Sequence, residues 1–139
     1  MVAVLLAMSM TLLACTVEGP PAARTYRNAS IEELAALQER GDTVLLVNTH
    51  TPYEGHIEGT DAYWMFDAIS QEALPKDMST PIVVYCRSGR MSAIAAQSLA
   101  DAGYTNVTNI EGGMIAWERS GRPVVQERSD ECETTVCTR

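Results

Sequence analysis

Cys86 closes the apolar run Ile82-Val83-Val84-Tyr85 and is followed at once by Arg87-Ser88-Gly89-Arg90-Met91-Ser92. A thiol in that setting can do nucleophilic chemistry. Open parallel sheets place ligand sites beyond the carboxyl ends of their strands, and a helix N-terminus offers free N–H groups and partial positive charge. Gly89 lets the backbone curl so that successive N–H groups face one centre, while Arg87 and Arg90 add full positive charge. A free cysteine has a pKa of about 8.5, and such surroundings lower it. Taken alone, a cysteine at a strand end is more often a small buried hydrophobe. The Arg-Ser-Gly-Arg that follows has no use in packing, so the pattern predicts a reactive thiolate or persulfide at Cys86.

The elements that must position this loop are legible on both sides of it. Ser30 with Glu33 forms a capping box for a helix carrying Ile31, Leu34 and Leu37, stopped by Gly41. Thr43 to Asn48 is a short β-branched apolar run, the pattern of a strand covered on both faces. A loop with Pro52, Gly55 and Gly59 follows, then a short strand over Tyr63 to Phe66. Pro81 opens the strand that ends at Cys86, and Ser92 to Ala102 is a helix with Ala95, Leu99 and Ala102 on one face, ended by Gly103. Asn106 to Ile110 reads as a further strand, broken by Gly112-Gly113, and Met114 to Ser120 as a last helix with Trp117 in the core. Strands alternating with helices predict an α/β fold with a parallel sheet.

Composition narrows the function classes. With 46% hydrophobic and 20% charged residues the chain is neither disordered nor a polytopic membrane protein. A net charge of −8 disfavours nonspecific nucleic-acid binding, which needs clustered Lys and Arg, while leaving room for a local anion site. Two histidines without clustered Cys/His spacing give no metal site, and no cofactor is called for. His56 is expected to brace its loop by hydrogen bonding, and His50 to be a surface residue or a pocket wall.

The two ends read differently from the middle. Residues 1–14 are uncharged and apolar, too short to span a bilayer comfortably, and end on Ala14 immediately before Cys15. Leu12-Leu13-Ala14-Cys15 resembles a bacterial lipobox, although no Lys or Arg precedes the run. The resemblance implies an exported protein, lipidated on Cys15 and held at the outer face of a bacterial membrane. Residues 15–25, with Gly19, Pro20 and Pro21, read as a tether, 26–125 as one domain, and 126–139 as a polar tail. In an exported protein Cys132 and Cys137 of that tail could close a local disulfide.

The segment YCRSGRMSAIAAQSLADAGYTNVTNIEGGMIAW strongly resembles the second half of single-domain rhodaneses, and the likeness covers most of residues 28–124. The run Cys86 to Met91 matches that family's six-residue loop, and Gly103 to Val107 and Glu111 to Trp117 match its downstream elements. The first half departs: Asn48-Thr49-His50 stands where the family often has Asp-Val-Arg, before Tyr53 to Ile57 resume the likeness. The resemblance implies a parallel sheet flanked by helices on both faces, and sulfur transfer as the activity. The Cys86 thiolate would attack the outer sulfur of thiosulfate or a persulfide, hold a persulfide, and pass the sulfur to a thiol or other thiophilic acceptor. Arg87, Ser88, Gly89, Arg90, Met91 and Ser92 would form the substrate-binding loop. The alternative within this fold is a sulfur carrier or binding module that depends on a partner protein. A phosphatase or arsenate reductase requires an arginine at the sixth position after the cysteine, where this chain has Ser92.

Overall fold

The computed structural model describes residues 24–126. In chain order the elements are β1 Arg27–Ala29, α1 Ile31–Arg40, β2 Leu45–Asn48, β3 His56–Ile57, β4 Ala62–Tyr63, β5 Ile82–Tyr85, α2 Arg90–Ala102, β6 Val107–Ile110, α3 Gly113–Arg119 and β7 Val124–Val125, with a single 3-10 turn at Gln71–Ala73. Five strands form a parallel sheet in the order β1-β6-β5-β2-β4, which puts β5, the strand leading to Cys86, in the centre.

The strand alternation explains why both faces are covered. Leu46, Val83, Tyr85 and Ile110 point to one core, shared with Ile31, Leu34 and Ala35 of α1 and Met114 and Trp117 of α3. Val47, Ile82, Val84 and Val107 point to the other, shared with Ala96 and Leu99 of α2 and with Trp64 and Tyr104. Helices therefore flank the sheet on both faces, as expected.

Helix α1 begins as its sequence requires. Glu33 N–H donates to Ser30 Oγ and Ser30 N–H to Glu33 Oε1, both at 3.3 Å. At its other end Gly41 N–H returns to the Gln38 carbonyl.

Four features differ from expectation. Strand β1 was not foreseen: Arg-Asn-Ala is short and mostly exposed, and it exists because it adds to the edge of β6. The strand expected over residues 63–66 is β4, Ala62–Tyr63, because only those two residues register against β2. Helix α2 starts at Arg90 rather than Ser92, since Gly89 at φ 90° is its N-cap. Finally, β3 and β7 pair antiparallel as a separate two-stranded sheet, His56 opposite Val125 and Ile57 opposite Val124. Two-residue strands joined over such a separation leave no periodicity to read.

A ring of hydrogen bonds ties this second sheet to the strand before Cys86. The Thr60 hydroxyl donates to the Ile57 carbonyl at 2.6 Å, so its oxygen accepts from the Tyr85 phenol at 2.6 Å. The Tyr85 oxygen in turn accepts from Ile57 N–H at 3.0 Å. Burial pushes the Tyr85 phenol up, outweighing these bonds, so it stays protonated and keeps its donor role.

Candidate active site

Cys86 sits at the carboxyl end of β5 and is 1% exposed. Its Sγ accepts from Gly89 N–H at 3.1 Å and from the Ser92 hydroxyl at 3.5 Å. Burial pushes the thiol up. The Ser92 hydroxyl and the N–H groups of Ser92, Ser88 and Gly89 oppose it, and the net result lies below the ordinary thiol value. Ser92→Ala removes the strongest of the opposing donors, so the pH profile of Cys86 alkylation is expected to move to higher pH. An unchanged profile would show that the backbone donors suffice.

Between the lowered folded value and the ordinary thiol value, the unfolded chain holds a proton that the native state has released. The Cys86 contribution therefore grows as pH rises through that window and is lost as pH falls through the folded value.

The loop is held in place from below. Met114 N–H donates to the Cys86 carbonyl at 2.9 Å and Ile115 N–H to the Arg87 carbonyl at 3.0 Å. These donors can come this close because Gly113 has no side chain: a Cβ there would collide with the Cys86 carbonyl oxygen and crowd Arg87. A Cβ on Gly89 would likewise press on Gly112 N at 3.1 Å. The Gly112-Gly113 pair, read from sequence as a strand breaker, is the seat on which the Cys86 loop rests. Its position directly before a helix was the available signal.

The lowering of the Cys86 thiol comes from hydrogen bonds. Arg87 Nη1 lies 3.1 Å from Glu54 Oε2, and both side chains are well exposed. Arg90 belongs to the first turn of α2, exposed, with no ion pair among the described residues. Met91 is likewise helical, so the turn itself runs only from Cys86 to Gly89. Ser88 is exposed and Ser92 fully buried.

The divergent Asn48-Thr49-His50 segment is buried and makes its own set of contacts. Asn48 Nδ2 donates to the Gly55 carbonyl and its Oδ1 accepts from His50 N–H, both at 2.9 Å. An aspartate, lacking a donor, could not make the first bond. Thr49 N–H and hydroxyl both donate to the Tyr85 carbonyl, at 2.8 and 3.0 Å, fixing the peptide before Cys86. His50 Nε2 lies 3.1 Å from Glu54 Oε2, but neither ring nitrogen forms an aligned hydrogen bond. His56 Nδ1 meets the Tyr53 hydroxyl at 2.6 Å, the bracing role expected of it.

Beside the loop opens a cleft of about 480 Å³ lined by His50, Glu54, Arg87, Met114, Glu118, Val124 and Gln126. Glu54 and Glu118 were not singled out as site residues. Glu54 is four residues beyond His50, the one hint of its role. Glu118 and Val124 reach the cleft through α3 and β7, which only the fold reveals. Among the described residues no group of acidic, histidine or cysteine side chains has metal-binding geometry. Cys15, Cys132 and Cys137 lie outside the described residues.

Comparison with known proteins agrees with this architecture. A family model described as a rhodanese-like domain matches residues 30–120. A sulfurtransferase of Allochromatium vinosum is 39% identical over 101 residues, covering 68% of this chain and 92% of that protein. An uncharacterized Synechocystis protein is 34% identical over 113 residues, 78% of this chain, which spans only 62% of that relative's length. The solution structure of a rhodanese-like domain from Anabaena superposes with a TM-score of 0.63 at 23% identity, over 79% of this chain and 85% of that one. The chain belongs to the rhodanese-like domain family.

Proposed function

We propose that this protein is a sulfurtransferase that moves sulfane sulfur from thiosulfate or a persulfide through Cys86 to a thiophilic acceptor. The observation that carries the proposal is a buried thiol whose sulfur accepts from Gly89 N–H and the Ser92 hydroxyl, and which is held below the ordinary thiol value. The Cys86 thiolate attacks the outer sulfur of the donor, the donor's S–S bond breaks, and its electron pair leaves with sulfite or an organic thiolate. The new S–S bond leaves a persulfide anion on Cys86, with the N–H groups of the turn oriented to stabilise it. An acceptor thiolate or cyanide then takes the outer sulfur and returns Cys86 as thiolate. Every step is a two-electron displacement among sulfur and carbon nucleophiles, with no net oxidation.

The second reading is a partner-dependent sulfur carrier, favoured by Arg87 being engaged by Glu54 instead of free for an anionic donor. Steady-state turnover with thiosulfate and cyanide supports the enzyme. Loading only from a persulfidated protein, with no such turnover, supports the carrier. For phosphate-ester hydrolysis the loop lacks the arginine clamp at its sixth position, Ser92. Hydrolysis of p-nitrophenyl phosphate that vanished in Cys86→Ser would overturn that exclusion.

The N-terminal sequence supports export and lipidation at Cys15. The full chain is expected in the detergent-extractable membrane fraction of its bacterial host, and Cys15→Ala in the soluble exported fraction. A wild type that fractionates as soluble removes the anchor.

A further inference from the structure

The cleft that opens at Arg87, the residue after Cys86, offers an anion little. Its walls carry two carboxylates, Glu54 and Glu118, and one guanidinium, Arg87. That guanidinium is already taken, with Nη1 at 3.1 Å from Glu54 Oε2. The same carboxylate oxygen lies 3.1 Å from His50 Nε2, although neither ring nitrogen makes an aligned hydrogen bond. Arg90, the loop's other cation, does not line the cleft. Among the described residues, a donor entering here meets two carboxylates and no unpaired cation.

Resting on the sulfurtransferase reading, we propose that Glu54 is a specificity-determining residue. By occupying Arg87 and adding its own charge, it disfavours the dianion thiosulfate and favours donors whose sulfane sulfur departs from an organic thiolate. In both cases the Cys86 thiolate forms a bond to the outer sulfur and the donor's S–S bond breaks. Sulfite, a dianion, must leave through the cleft in one case, and a thiolate in the other. The repulsion acts on both the entry and the exit of the more highly charged species.

The test is the second-order rate of Cys86 persulfidation in the full chain, read by intact mass after rapid quenching, with thiosulfate and with cysteine persulfide as donors. Glu54→Gln is expected to raise the thiosulfate rate about tenfold by freeing Arg87, while the cysteine persulfide rate changes less than about twofold. Glu54→Asp keeps the charge and should stay within about twofold of wild type for both donors. Glu72→Gln, on the 3-10 turn and outside the cleft, should change neither. Adding Arg87→Ala to Glu54→Gln should cancel most of the thiosulfate gain. In about 1 M salt, where screening acts within roughly 3 Å, the advantage of Glu54→Gln should shrink.

Equal acceleration of both donors, or slower loading with thiosulfate, would mean that Glu54 only positions the loop, and the proposal fails. If wild type loads from one or both donors but the ratio is unmoved by Glu54→Gln, the specificity role alone falls. A wild type that loads from neither donor brings down the sulfurtransferase reading, and this inference with it.

Discussion

Cys86→Ser is expected to abolish sulfur loading. After incubation with thiosulfate or cysteine persulfide the wild-type protein is expected to gain the mass of one sulfur atom at Cys86, and the variant none. The fold should survive the change, because a serine hydroxyl fits the same site and can still accept from Gly89 N–H. Stability is expected to stay within about 1 kcal/mol of wild type near neutral pH, as for an isosteric substitution. The chemistry does not survive, since an alcohol at that position is far less ionised and far less nucleophilic toward sulfur than a thiol held below its ordinary pKa. A loss of at least about a thousandfold is expected, the scale on which enzymes lose activity when their nucleophile is removed. Peptide mapping decides the outcome. Sulfur still present on Cys86→Ser, or located at Cys132 or Cys137 in the wild type, would move the reactive site elsewhere.

Gly113→Ala is expected to be the most damaging single methyl group in the described domain. The added Cβ would overlap the Cys86 carbonyl oxygen and press on the Arg87 peptide, all of it backbone that cannot rotate away. Glycine also holds φ 52° there, a conformation that costs an alanine about 1–2 kcal/mol on its own. Relief requires α3 to withdraw from the loop, breaking the bonds from Met114 N–H and Ile115 N–H that fix the carbonyls of Cys86 and Arg87. A total loss of about 3 kcal/mol or more is expected, together with loss of sulfur loading. Gly121→Ala provides the comparison: φ there is 83°, but nothing lies within 4 Å of the new methyl, so only the backbone cost applies. Urea denaturation of the two variants separates the collision from the backbone effect. Equal midpoints would show that α3 does not seat the loop through this contact.

The parallel sheet and the Cys86 loop were legible because local chemistry determines them. Ser30 and Glu33 cap α1 through their own side chains, β2 is a short apolar run and β5 is dense in β-branched residues, and the loop joins a strand to a helix without intervening structure. What was illegible depends on partners distant in sequence. Strand β1 exists only by adding to β6, and β3 only because β7 returns to meet it. The electrostatics misled for the same reason. Arg87 and Arg90 stand on either side of Ser88 and Gly89, so the sequence offers them as a positive pair. Folding places Glu54 against one of them and turns the other outward on a helix. Asn48 and His50 looked like a lost charge pair. In the structure Asn48 instead supplies a donor that the Gly55 carbonyl uses.

The near-complete burial of Cys86 has a consequence for regiochemistry. A persulfide has two electrophilic sulfurs, and an acceptor thiolate can choose between them. Attack on the inner one expels hydrosulfide and leaves a mixed disulfide on the protein. Attack on the outer one delivers the sulfur and restores the free thiol. With the inner sulfur enclosed by Gly89, Ser92 and the walls of the sheet, only the terminal atom of a Cys86 persulfide would project toward an acceptor. Enclosure of the nucleophile would thus bias the cargo toward handover and away from release as hydrosulfide, and would keep the carrier from becoming trapped as an adduct of its own acceptor.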